Sequence, residues 1–419
     1  MSGLYFKPNS EKPNLWTIML YMAGDNDLDN FGISDLREIR RIGSNEQVQV
    51  IAELDRSGPT RLTKRYWLKN DAVSPTLKND VVQELEESDS GSPEQLTAFI
   101  RWGMEEFPAQ HYFVILWSHG AGAYDEDIYY TTEARLRPRV ANRGLFGSLA
   151  PLKHVADVPV DGNPLLKNMR FIAPDDGART FIDNVELKTA LQNVGRKIEV
   201  LGMDACLMSA IEVCFQLQEC AEVIVSSEAQ EPLEGWPYEA LVRELTNNPN
   251  MSPQQVAAAA VDEFVKLYAD YENSSTTLAA CDASKCVKLI EPLSNLVDCF
   301  LANIHDSEVV DSILLTRYLV QSDDVIEAVD LFDFCNLLMK KSRNKGIVEC
   351  CRRFVQEFEE SGIIIKKQPL TGGAEHWHGL SIYFPTVEVS QQYHKLDLIE
   401  QLLGNWKKFI DIYVDLSGR

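Results

Sequence analysis

Along the first two-thirds of the chain, nearly unbroken apolar runs alternate with segments whose apolar residues recur every three to four positions. The runs are residues 16–22 (WTIMLYM), 48–55 (VQVIAELD), 112–118 (YFVILWS), 198–204 (IEVLGMD) and 223–228 (VIVSSE). Runs of this length suit strands buried on both faces, as in a parallel sheet covered by helices. Residues 61–68 (RLTKRYWL) alternate instead and predict an edge hairpin strand. Helical spacing occupies residues 33–42, 93–107, 184–194 and 206–219. Strand and helix in alternation predict an α/β fold with a doubly wound, mostly parallel sheet.

The pattern breaks twice. Residues 123–175 show no strong period, and a connection of this length is unusual where most loops span ~4–6 residues. It is therefore either functional or mobile. Beyond about residue 250, helices are expected over 256–268, 285–304, 325–340, 347–359 and 396–413, with short strands at 363–366 and 380–384. No repeat or flexible linker separates the two textures. The expectation is a domain over 1–275 carrying the long insert, and a mainly helical subdomain over 276–419 packed closely on it.

Composition narrows the function classes. The formal charge is −23, from 40 Lys and Arg against 63 Asp and Glu. That excludes a general nucleic-acid binder, which needs a basic face. It suits cationic substrates, although a solvated surface alone would account for it. No apolar run approaches the ~20 residues that span a bilayer, so no membrane association is expected. The opening residues, MSGLYFKPNSEKPNLW, lack the apolar core of a secretory signal. The nine cysteines include the adjacent pair Cys350 and Cys351, and no CxxC occurs. Neither a zinc site nor a disulfide framework is expected, and buried thiols in a reducing, cytoplasmic setting are. Secretion would require a leader removed beforehand.

Two strand ends hold reactive side chains. His119 follows the run in VILWSHGAG, and Cys206 follows another in LGMDACLMSA, 206 − 119 = 87 positions on. Ligands of doubly wound sheets bind at the carboxyl ends of the strands. If the two strands are neighbours, His119 and Cys206 share one cleft. An ordinary thiol, with a reference pKa of ~8.5, is only a few per cent ionised at neutral pH. A helix N-terminus and an imidazole both favour the thiolate. The imidazole can then protonate a leaving amine, and the amides of Gly120 and Cys206 are candidate oxyanion donors. The plain alternative is a core cysteine and a hydrogen-bonded loop histidine. Asp204 has two readings, a helix cap or a pocket carboxylate for an Arg or Lys side chain. Asp25–Asn30 (DNDLDN) resembles an EF-hand opening but has Asn30 at the sixth position and Leu36 at the twelfth, so it reads as a cap for a helix near Phe31. The i, i+2 spacing of His376 and His378 is weak evidence for a metal, and no metal is expected.

At these residues the sequence resembles the clostripain family of cysteine peptidases, in the caspase-like clan. WTIMLYMAGDNDLD is similar to the family's opening strand and turn, and VILWSHGAG to its catalytic-histidine segment. MDACLMSAIEV is similar to its D-x-C-x-M-x-x-x-E block, SSEAQEPLEGWPY to its S-x-E…G-W-x-Y block, and GLSIYFP to a late strand. The resemblance implies a caspase-like αβα sandwich, with His119 catalytic, Cys206 the nucleophile and Asp204 the acid that receives a basic side chain. Glu231 or Glu234 would add a second carboxylate. It implies peptide or protein substrates cut after Arg or Lys. It also implies self-cleavage between the histidine and cysteine blocks, where Arg135, Arg137, Arg139, Arg143, Lys153, Lys167 and Arg170 lie. No cofactor is expected; some members need calcium and others do not, and no residue here decides the matter. The rivals are a catalytically silent binding protein of the same fold and a zymogen whose insert occludes the cleft.

Overall fold

In a computed structural model of the chain, the five apolar runs form the parallel heart of one nine-stranded sheet. The structure describes residues 13–58, 62–71, 76–86, 88–124, 172–269, 276–320, 322–323, 327–368, 375–386 and 389–417. The basic residues of the insert, from Arg135 to Arg170, lie outside them.

In chain order the elements are β1 (Asn14–Gly24), α1 (Asp29–Ile39), β2 (Val48–Arg56), β3 (Lys64–Trp67), β4 (Val81–Glu84), α2 (Pro93–Glu106) and β5 (Ala109–Trp117). After the insert come β6 (Ile172–Asp175), β7 (Thr180–Ile182), α3 (Asn184–Asn193), β8 (Ile198–Asp204), α4 (Ile211–Leu217), β9 (Ala221–Ser226), α5 (Tyr238–Asn247) and α6 (Pro253–Tyr268). The last third holds β10 (Ala279–Asp282), a 3₁₀ turn (Ala283–Leu289) running into α7 (Ile290–Ala302), α8 (Ser307–Leu319), β11 (Ser322–Asp323), β12 (Ala328–Asp330), α9 (Leu331–Lys341), α10 (Lys345–Ser361), β13 (Ile364–Lys367), β14 (Ser381–Tyr383) and α11 (Gly404–Ser417).

The large sheet runs β13-β10-β9-β8-β5-β1-β2-β3-β4. Its five central strands are parallel, while β3 and β4 close one edge and β10 and β13 the other in antiparallel fashion. Successive central-strand residues alternate between two buried faces. Met19, Tyr21, Val114, Leu116, Leu201 and Met203 pack under α2, α3, α4 and the C-terminal helices. Ile18, Leu20, Met22, Ile115, Trp117 and Val200 pack under α1, α5 and α6. Each such side chain, fully buried, contributes ~1.5–3 kcal/mol relative to exposure. This is the expected caspase-like α/β sandwich. Residues 276–419 supply two strands of the same sheet and share its core, besides a small β11-β12-β14 sheet.

Several elements depart from their sequence expectation. The helix expected from Cys206 starts only at Ile211. Leu207 takes a left-handed φ of 69°, and the turn's amides are already committed elsewhere: Leu207 N–H donates to Ala229 O and Ser209 N–H to Ser227 O. The helix expected over 325–340 begins only at Leu331, because Ala328–Asp330 pairs with β14 first. Helices α5 and α8 appear where none was expected. Cys299 and Cys350 form a disulfide linking α7 to α10, where no disulfide framework was expected. Cys214, Cys220, Cys281, Cys286, Cys335 and Cys351 are buried thiols.

Candidate active site

Strands β5 and β8 pair in parallel with Trp117 opposite Asp204. His119 lies two residues beyond Trp117, and Cys206 two residues beyond Asp204. Neighbouring strands stand ~4.8 Å apart, so the chain delivers both residues to the same edge of the sheet at the same level. The seam continues past the strands, where Ser118 N–H donates to Asp204 O at 3.2 Å. The two turns then touch. A Cβ added to Gly120 would stand 2.4 Å from the Cys206 carbonyl oxygen and 3.0 Å from Ala205 Cβ, so only glycine fits.

Cys206 is a half-buried thiol. Because α4 begins five residues later, its dipole, which fades within one turn, does not act on the sulfur as the sequence suggested. The backbone N–H of Glu231 does, donating to Sγ at 3.2 Å. On the histidine side, Nε2 of His119 is 2.7 Å from Asp27 Oδ1. Asp27 belongs to the DNDLDN turn, which does not cap α1: Leu28 is the cap position and has no side-chain bond there. Asn26 instead ties the turn down, donating to Ala23 O and Pro174 O.

Asp204 is no helix cap either. Its carboxyl is buried, with Oδ2 accepting from Trp236 N–H at 3.3 Å and from Tyr238 O–H at 2.5 Å. The loop around it turns at Gly235, at φ 64°, where a Cβ would come within 2.9 Å of Asp204 Oδ2. Glu231 folds its carboxyl into the same place: Oε2 accepts from Trp236 Nε1 at 3.0 Å and Oε1 is buried. Burial, and then Asp204, pushes the Glu231 carboxyl well above the usual range; burial raises Asp204 too. Glu234 is exposed on the loop and does not join them. Of the two alternatives for the second carboxylate, the structure puts Glu231 in the cluster.

Behind Asp204 stands Asp35, which accepts from Trp117 Nε1 at 2.8 Å. Burial, with Asp204 nearby, pushes it up to about 8. Among the described residues no Lys or Arg pairs with Asp35, Asp204 or Glu231. Since folded Asp35 holds its proton up to about pH 8 and an unfolded Asp releases it near ~3.9, its contribution to stability is complete below that lower value. It is lost as pH rises through this window. We expect Asp35→Asn to remove up to one proton from the linkage. The pH slope of urea-unfolding stability should then change by up to ~1.4 kcal/mol per unit between pH 5 and 8. Parallel slopes in parent and variant would disprove this.

His376 and His378 do not converge: their Nδ1 atoms face Asp333 and Asp330 respectively, at 3.1 and 3.2 Å. Among the described residues no group of three or more His, Cys, Asp or Glu is placed to hold a metal. Sequence reading missed Asp27, Asp35 and Tyr238. The signal for Asp27 was its position just past the carboxyl end of a buried strand.

Thiol, imidazole and buried acid at the carboxyl ends of a mostly parallel, helix-covered sheet are the layout of a cysteine peptidase of caspase-like fold. The chain belongs to the clostripain family, whose sequence profile matches residues 20–135 and 160–412, and it is a cysteine peptidase. Its fold is similar to that of a secreted C11 cysteine protease from Bacteroides thetaiotaomicron in complex with an irreversible peptide inhibitor (18% identity, 95% of this chain and 99% of that one, TM-score 0.59). It is similar also to an inactive zymogen C11 protease from Parabacteroides distasonis (20%, 93% and 99%, TM-score 0.62). A third is a secreted C11 cysteine protease from B. thetaiotaomicron, iotapain (16%, 93% and 100%, TM-score 0.63). No curated protein is significantly similar to the chain. Among the described residues no helix is long and apolar enough to cross a membrane.

Proposed function

We propose that the chain is an endopeptidase that cuts after Arg and, second to it, Lys, through a Cys206–His119 dyad. The observation that carries this is the equal offset of the two residues past the paired Trp117 and Asp204, the latter a buried acid. Cys206 gives its proton to His119, and Sγ attacks the scissile carbonyl carbon to form a C–S bond. The amides of Gly120 and Cys206 are the candidate donors for the oxyanion. His119 hands its proton to the amine as the C–N bond breaks. Water then attacks the thioester, releasing the acid product and restoring the thiol. The substrate's cation enters the Asp204–Glu231 pocket and pairs with the carboxylates there, forming charge-assisted hydrogen bonds.

The insert is proposed as the site of self-cleavage, at one of the basic residues between Arg135 and Arg170. The inactive zymogen among the structural neighbours favours this. Calcium dependence stays a proposal without a described site. For the compartment, the buried thiols support a cytoplasmic setting. The Cys299–Cys350 bridge and the secreted neighbours weigh for export.

Arg-, Lys- and Asp-linked reporter peptides test the reading. Turnover of the first two and not the third is expected, with or without prior trypsin nicking of the insert. No turnover of the basic peptides in either form, with a Cys206 thiol inert to iodoacetamide at neutral pH, would overturn it for a silent binding protein.

A further inference from the structure

We propose that Asp27 is a positioning residue for His119, so that the dyad works as an Asp27–His119–Cys206 relay. The proposal rests on the reading of His119 as the proton carrier. Its starting point is the 2.7 Å contact between His119 Nε2 and Asp27 Oδ1. A carboxylate only accepts, so Nε2 carries the hydrogen. That fixes the tautomer and leaves Nδ1 as the nitrogen able to take a proton. The ring itself is held in a confined place, with its side chain 11% exposed.

The contact is built into the fold. Asp27 sits in the turn after β1, and β1 pairs with β5, the strand that leads to His119. Asn26 accepts from Leu28 N–H at 2.9 Å and donates to Ala23 O and Pro174 O. Ser118, next to His119, donates through Oγ to the same Ala23 O at 2.9 Å. The turn holding Asp27 and the turn holding His119 are thus fastened to one carbonyl. Gly24 makes the tight exit from β1 possible, since a Cβ there would stand 2.8 Å from Asp55 O. Asp27 is 45% exposed, so water screens its charge. Its main effect is therefore on the ring's orientation and tautomer rather than on raw electrostatic attraction.

The test compares Asp27→Ala and Asp27→Asn with the parent on an Arg-linked peptide, each normalised to active sites by iodoacetamide titration, with folding checked by thermal melting. Asp27→Ala should lower kcat by about 10–100-fold, the scale seen when the group orienting a metal-bound histidine is lost, with KM within about twofold of the parent. Asp27→Asn keeps an oxygen that can accept from Nε2–H but can also donate and hold the other tautomer, so its kcat should fall at least about twofold. A folded Asp27→Ala with parental kcat, or one whose loss is all in KM, overturns the proposal. An Asn variant as impaired in kcat as the Ala variant supports it, since the amide can donate to Nε2 and hold the wrong tautomer. Should Asp27→Ala fail to fold, the Asn variant decides: a loss in kcat of about twofold or more supports the proposal and an unchanged kcat overturns it. His119→Ala is run alongside. If it turns over like the parent, the underlying reading of His119 has failed; if it is inactive while both Asp27 variants are normal, only the Asp27 proposal has.

Discussion

In Cys206→Ala, hydrolysis of Arg-linked peptides should fall to background, a loss on the order of 10⁴-fold or more in kcat. Without the sulfur no thioester forms, and the imidazole and oxyanion donors are left to orient water alone. The fold should survive. The side chain is only half-buried, and the bond it gives up from Glu231 N–H is a weak one to sulfur, so the stability change should stay within ~1 kcal/mol. Steady-state turnover with a matched melting curve checks both halves. A variant that still cleaves within tenfold of the parent would remove Cys206 from the mechanism.

Asp204→Asn should act on selectivity. The amide can keep its bonds from Trp236 N–H and Tyr238 O–H but offers the substrate's guanidinium no negative charge. Deleting one partner of a buried charge pair costs ~2–5 kcal/mol. The kcat/KM for an Arg peptide should therefore drop ~10²–10³-fold, while a peptide with an uncharged residue before the scissile bond changes little. The melting temperature should rise or hold, because burial disfavours the charged form of this acid. An unchanged ratio between basic and neutral peptides would show that the cation is received elsewhere.

The sheet was largely legible in the sequence, because a strand buried on both faces needs an apolar side chain at nearly every position. Residues 16–22 and 112–118 could hardly be anything else. Helix α8 escaped notice because Leu315, Tyr318 and Leu319 are exposed on it, which blurs the helical stripe. The late start of α4 was also invisible: it depends on Leu207 and Ser209 giving their amides to the loop after β9, a contact across the fold. The site divides in the same way. His119, Gly120, Cys206 and Asp204 could be read locally, as reactive or acidic side chains at strand ends. Asp27 and Asp35 could not, since their meaning comes from β1 lying beside β5 and from α1 lying over Trp117. The Cys299–Cys350 bridge likewise requires knowing that α7 faces α10.

The β5–β8 seam has a consequence for assembly. A backbone break anywhere between residues 124 and 172 would leave the imidazole on one polypeptide and the sulfur on the other, joined by the ladder from Phe113 to Trp117 against Val200 to Asp204. Neither piece alone could bury its side of that ladder. After denaturation, recovery of the cut protein would become a second-order encounter, depending on concentration, whereas the uncut chain refolds by itself.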